Sequence, residues 1–167
     1  MATSGTAKVT LPEDTQILIT REFDAPPNLI YQAWTTPELV SQWWTAKRGD
    51  IKVVEIDLRV GGKWRYAMDV PRPEGSFEVA FHGEYLEIVP NERLVSTEIY
   101  EGFPDQQAVN TLTLTELEGG RTLLKVLVQH TTKQHRDGHV ESGMEDGLQD
   151  ALDLLEGVAE ANALSAQ

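Results

Sequence analysis

VESGMEDGLQDALDLLEGVAEAN, residues 140–162, is the stretch on which the fold turns. Met144, Leu148, Ala151, Leu152, Leu155, Val158 and Ala159 recur at steps of three and four, the spacing that gathers side chains on one face of an α-helix. The spacing predicts one long amphipathic helix over 140–162. Glu141, Glu145 and Asp146 stand at its opening, where negative charge complements the helix dipole, so they read as structural rather than acid–base groups. Gly143 and Gly147 each cost about 1 kcal/mol relative to Ala inside a helix. Close approach to a strand, or room left for a ligand, is the expected offset, with fraying at Gly143 as the alternative.

Working outward, residues 51–130 form strand-like runs over 52–60, 63–70, 77–89, 94–100, 109–117 and 122–130, separated by Gly, Pro and Asn punctuation such as Gly61-Gly62 and Pro90-Asn91. These intervals are too short for crossover helices, so successive strands are expected to pair antiparallel as a meander. The alternation over 16–24 adds a seventh strand. Pro26 and Pro27 are tolerated only before or within a first helical turn, which predicts a short helix over 27–35. A second helix, capped by Thr36, is expected to carry Leu39, Val40, Trp43 and Trp44. Residues 1–14 mix Ala, Thr, Ser and Gly without period and read as a flexible leader to a single domain over 15–163. The class is therefore α+β: a curved antiparallel sheet of about seven strands in the order β-α-α-β6-α, whose inner face only the C-terminal helix is long enough to cover.

The 167 residues include 14 Lys+Arg against 27 Asp+Glu, a formal net charge of −13. Such a balance repels phosphate backbones and anionic lipid, so neither nucleic acid nor a membrane surface is an expected partner. Cysteine is absent, which excludes disulfides, thiol catalysis and Cys-ligated zinc. The first residues lack the basic and apolar regions of a signal peptide, and a cytoplasmic location is expected.

Trp64, Tyr66 and Met68 alternate with Lys63, Arg65 and Ala67 and should share one sheet face; Phe77, Val79 and Phe81 repeat the pattern on the next strand. Such a face is either plain core or the wall of an apolar binding site. Trp43 and Trp44 sit about 100° apart if helical, so one of them should face away from the buried stripe, at a rim or on the sheet edge. The candidate ligand-binding residues are thus Trp43, Trp44, Trp64, Tyr66, Met68 and Phe81 from the sheet side, with Met144 and Leu148 from the helix. His82 could serve as a base only with an acid beside it. His135 and His139 are four apart, but Gly138 lies between them and the helix is expected to begin beyond, so they, with His130, read as loop histidines and no metal is expected. No Walker loop, nucleophile elbow or dinucleotide fingerprint occurs, and no cofactor is expected.

The segments "REFDAP" at 21–26, "AWTTPELVSQWW" at 33–44, "GG" at 61–62 followed by Trp64, "GEYLEIVPNERLV" at 83–95 and "SGMEDGLQDALDLL" at 142–155 together resemble the START and birch-pollen-allergen-like superfamily, SRPBCC. Within it the chain is most similar to the family named for homology to the activator of the heat-shock-protein-90 ATPase. The resemblance implies a helix-grip fold and no shared catalytic constellation. Family members often carry Trp where this chain has Leu148, a departure that would reshape the space between helix and sheet. The favoured expectation is a binding protein for a hydrophobic or aromatic small molecule. The alternatives are an enzyme of the superfamily's cyclase or hydratase kind, separated by a titratable pair in the pocket, and a chaperone ATPase-activating module, less favoured because the short leader cannot supply the further N-terminal domain of the eukaryotic co-chaperones.

Overall fold

The computed structural model describes residues 6–165. An eight-stranded antiparallel sheet runs in the order β1-β2-β8-β7-β6-β5-β4-β3. Its strands are β1 (Lys8–Thr10), β2 (Gln16–Phe23), β3 (Asp50–Ile56), β4 (Lys63–Arg72), β5 (Gly75–Val89), β6 (Arg93–Tyr100), β7 (Gln107–Leu117) and β8 (Arg121–Gln129). Helices α1 (Pro27–Thr35) and α2 (Pro37–Val40) follow β2, and α3 (Lys133–Glu141) and α4 (Met144–Ser165) close the chain. The order is that of an α+β helix-grip fold, and the meander of β3 to β8 follows from connections too short to cross over.

Three expectations need correction. Residues 1–5 of the expected leader lie outside the described residues, but Lys8–Thr10 pairs with Leu18–Thr20, and the Ala7 backbone exchanges hydrogen bonds with the Gln149 side chain at 3.1 and 2.6 Å. That non-local pairing raises the strand count from seven to eight. The single helix expected over 140–162 is two: Ser142 ends α3, and Gly143, with φ +84°, turns the chain into α4. A left-handed residue after a C-cap is the usual place for glycine, so Gly143 punctuates rather than frays. Finally, α2 stops at Val40, leaving Trp43 and Trp44 in the turns that follow.

The helix α3 has no apolar stripe. The Thr132 side chain caps it by accepting from the His135 N–H at 3.0 Å, and buried Arg136 donates to the Glu13 carbonyl at 3.0 Å. The core lies where α4 crosses the sheet. Leu152, Leu155 and Ala159 of α4 meet Ile17, Ile19 and Phe23 of β2, Leu124 and Val126 of β8, and Ile30 and Ala33 of α1 in one buried cluster. Each large aliphatic or aromatic side chain so buried contributes about 1.5–3 kcal/mol. Arg21 donates from the sheet to Asp153 at 2.5 Å and to Glu156 at 3.4 Å, and the Asp24 N–H donates to the second Glu156 oxygen at 2.9 Å. This polar clamp fixes the distal half of α4. Its first turns, carrying Met144 and Leu148, lie beyond that clamp.

Candidate functional site

The strands β4 and β5 pair with Tyr66 opposite Phe81, Met68 opposite Val79 and Trp64 opposite Gly83. Period-two alternation therefore puts Trp64, Tyr66, Met68 and Phe81 on one face. Tyr100 of β6 lies beside Phe81. Across this face the ring centroids are 4.8 Å apart for Trp64 and Tyr66, 5.0 Å for Phe81 and Tyr100, and 5.8 Å for Tyr100 and Phe103. Trp44 stands edge-on to Tyr66 at 5.5 Å and to Phe81 at 5.9 Å. The loop that presents it reverses sharply through Ala46 and Lys47, with φ of 51° and 62°, and is tied to α4 by the Arg48–Asp150 ion pair at 3.0 Å.

Trp44, Tyr66 and Phe81 remain half-buried although they pack against the core. Met144 and Leu148 are likewise half-buried against it. Met68 is half-buried near Gly49, where an added Cβ would lie 3.1 Å from its sulfur. Trp43 belongs elsewhere. Its ring packs at 5.0 Å on Trp34, its N–H donates to the Ala33 carbonyl at 2.9 Å, and it is buried.

Sequence reasoning passed over the polar part of this face. Glu98 lies two residues before Tyr100 and so shares its face, opposite Ala108 of β7. Its Oε1 accepts from the Asn110 side-chain amide at 3.1 Å. Burial pushes the Glu98 carboxyl above the usual carboxylate range, against the opposing pull of that hydrogen bond. Burial likewise raises the Tyr66 phenol, reinforced by Tyr85 and by the Glu98 charge, and raises Tyr85. Three buried polar atoms nearby lack hydrogen-bond partners among the described residues: Asn110 Oδ1, Trp64 Nε1 and the Tyr31 hydroxyl. Gly83 allows a close approach that a side chain would block. A Cβ there would fall 1.9 Å from the Thr97 carbonyl oxygen and 2.7 Å from Trp64 Nε1. The alternation of Leu94, Ser96, Glu98 and Tyr100 was the signal available for Glu98, but one carboxylate in a mixed run does not announce its burial.

His82 does have an acid beside it, with Nδ1 2.9 Å from Glu101 Oε2. Arg65 also binds that carboxylate at 2.9 and 3.0 Å and, with His82, holds the Glu101 pKa down to about 2. Alternation turns Arg65 and His82 away from Tyr66 and Phe81, so this cluster is separate from the aromatic face. His135 and His139 lie within α3, contrary to the loop expected. His139 Nδ1 is 3.0 Å from His130 Nε2, while His135 contacts Thr131 at 3.1 Å. Among the described residues no group of three His, Cys, Asp or Glu is arranged to hold a metal ion. Two open hollows, at Pro12 to Thr15 and around Ile56, Trp64, Arg65 and His82, are lined by no residue of α4. No helix among the described residues is long and apolar enough to cross a membrane.

The family described as activator of Hsp90 ATPase homolog 1-like protein matches residues 24–160. A protein from Rhodobacter sphaeroides is 26% identical with a TM-score of 0.83, covering 93% of this chain and 99% of its own. One from Nitrosomonas europaea is 26% identical with a TM-score of 0.75, covering 92% and 99%. One from Chromobacterium violaceum is 29% identical with a TM-score of 0.69, covering 86% and 96%. No curated protein matches the chain.

Proposed function

The chain belongs to the activator of Hsp90 ATPase homolog 1-like family, and from that premise we propose that it binds a small hydrophobic or aromatic molecule between the inner face of the sheet and the first turns of α4. The observation that carries this reading is Trp44, held edge-on over Tyr66 and Phe81 by a sharply turned loop while all three rings stay half-buried. Rings needed only for packing are normally closed over in a core of native density. Apolar walls with a few convergent polar groups are the usual make-up of a ligand site, and Glu98 with Asn110 supplies those groups. The ligand-contacting residues are Trp44, Trp64, Tyr66, Met68 and Phe81 from the sheet side and Met144 and Leu148 from α4, with no cofactor required.

A second reading, an enzyme moving protons in the same place, is favoured by Glu98, since a buried carboxyl whose pKa is raised by burial is the kind of group used for proton transfer in active sites. The family's description points to a chaperone ATPase as partner, but the residues gathered here face inward and supply no surface for one. Native mass spectrometry of the protein purified without denaturation tests the first reading. A retained small molecule, lost in Trp44→Ala, is the expected result; ligand-free protein whose tryptophan emission does not respond to 1-anilinonaphthalene-8-sulfonate would count against it.

A further inference from the structure

We propose that Tyr100 and Phe103 form the mouth of this site and that the molecule it takes is an elongated aromatic one, with rings enough to reach from Trp44 to Phe103. This rests on the binding reading above and deepens it, naming the shape of the ligand and a residue that selects it. The rings of the aromatic face form an unbroken track. Trp64 meets Tyr66 at 4.8 Å, Tyr66 meets Trp44 at 5.5 Å and Trp44 meets Phe81 at 5.9 Å. Phe81 then meets Tyr100 at 5.0 Å, and Tyr100 meets Phe103 at 5.8 Å. The inner end, Trp64, is 6% exposed, and the outer end, Phe103, is 60% exposed. The track thus leads from solvent onto the face, and an aromatic molecule finds a ring beside it at each step.

Phe103 is not exposed because its loop is untethered. At the start of the connection from β6 to β7, the Glu101 N–H donates to the Ala80 carbonyl at 2.9 Å. Arg65 and His82 hold the Glu101 carboxylate from the opposite face of the sheet, each at 2.9 Å. The Phe103 N–H donates to the Tyr100 carbonyl at 2.9 Å, and the Gln106 N–H donates to the Phe103 carbonyl at 3.1 Å. Gly102 completes the turn: a Cβ there would lie 2.5 Å from the Tyr100 ring, so glycine is what lets that ring lie against the loop. An exposed phenyl group is thereby presented in a set position at the end of the track, an arrangement that lowers the ordering cost of binding. Selectivity follows from the spacing. One ring seated against Trp44, Tyr66 and Phe81 does not touch Phe103, because Tyr100 stands between Phe81 and Phe103. A second ring in line with the first, directed outward, covers Tyr100 and reaches Phe103, burying apolar surface that is otherwise wet.

The test compares phenol, 2-naphthol and 4-phenylphenol, which share one hydroxyl and differ in aromatic length, on the full chain by tryptophan fluorescence and calorimetry. Affinity should rise with length. Phe103→Ser should weaken 4-phenylphenol by about tenfold, the worth of one aromatic contact, and leave phenol unchanged. Phe103→Tyr, which keeps the ring, should bind all three as the parent does, and Trp44→Ala should weaken all three. Because Phe103 is exposed, neither change at this position should shift the melting temperature; should Phe103→Ser do so, Phe103→Leu takes its place under the same criteria. Equal binding of 4-phenylphenol by the parent and Phe103→Ser, or phenol weakened as much as 4-phenylphenol, would overturn the inference while leaving the binding site standing. Failure of all three compounds to bind the unaltered protein would overturn the site itself, and the inference with it.

Discussion

Trp43 and Trp44 are adjacent in sequence and serve different neighbours: Trp43 packs 5.0 Å from Trp34 and donates to the Ala33 carbonyl, whereas Trp44 stands 5.9 Å from Phe81, across the aromatic face. Replacing each with Ala separates structure from function. Trp43→Ala removes a buried indole and should cost about 3–5 kcal/mol, read by chemical denaturation. Trp44→Ala removes a half-buried ring and should leave the midpoint nearly unchanged while abolishing most of the fluorescence response to a hydrophobic dye. The reverse pattern would move the site away from Trp44.

The strands were legible because their evidence is local. Alternation within β4 and β5 already groups Trp64, Tyr66 and Phe81, and the prolines at 26, 27 and 37 mark where α1 and α2 begin. Elements stabilised from a distance were not legible. The strand β1 is three residues long and is held by β2, so nothing in its own sequence announces it. The helix α3 rests on the Thr132 cap and on a buried arginine reaching back to Glu13, neither of which produces hydrophobic periodicity. The same applies to the site: the aromatic residues declare themselves by pattern, but Glu98 acquires its raised pKa only from burial that tertiary structure creates.

Arg21 is the cation facing a buried carboxylate, its side chain 1% exposed and that of Glu156 7% exposed, whereas Asp153 is 65% exposed. Removing one partner of a buried pair is far more costly than removing an exposed one. Arg21→Met should therefore cost about 3–5 kcal/mol, and Asp153→Ala no more than about 1 kcal/mol. The double change Arg21→Met with Glu156→Leu should recover part of the loss, because the uncompensated charge goes too. Urea denaturation of the four proteins measures this, and equal effects of Arg21→Met and Asp153→Ala would contradict the clamp.

Acid should destabilise the α3 end first. Burial, together with the nearby His139, His135 and Arg136, lowers His130 to about 4, and burial lowers His139. An unfolded histidine titrates near about 6.5, so between these values the unfolded chain binds the proton that the folded chain refuses. The contribution to stability is complete above about pH 6.5 and is lost as pH falls toward about 4. Glu101, held to about 2 by Arg65 and His82, acts in the same direction but only below the ordinary glutamate range. Melting temperature measured across this window should fall, and His130→Gln should flatten the upper part of the fall. A flat profile from pH 6.5 to 4.5 would be inconsistent with the His130 environment.

Two glycines should respond oppositely to one methyl group. At Gly83 a Cβ would collide with the Thr97 carbonyl oxygen at 1.9 Å, so backbone must move; at Gly147 a Cβ meets nothing within 4 Å. Gly147→Ala should stabilise α4 by about 0.5–1 kcal/mol through helix propensity. Gly83→Ala should lower the melting temperature sharply or prevent folding. A destabilised Gly147→Ala would mean that the space beside this turn of α4 is needed for something other than helix formation.

Leu148 is half-buried near the start of α4 rather than closed within the core. If the space beside it is what a ligand enters, Leu148→Trp fills that space with an indole: binding of the hydrophobic dye and of 2-naphthol should weaken, and the melting temperature should change little. If Leu148 instead packs tightly on the sheet, the added volume overpacks the interface and costs about 1–3 kcal/mol. The location of Leu148 in the first turns of α4, half-buried and ahead of the Arg21 clamp at Asp153 and Glu156, favours the first outcome, because it lies outside the fully buried cluster around Leu152 and Leu155. Thermal unfolding and titration of the same variant decide between them. A strongly destabilised protein that still binds as the parent does would remove Leu148 from the site.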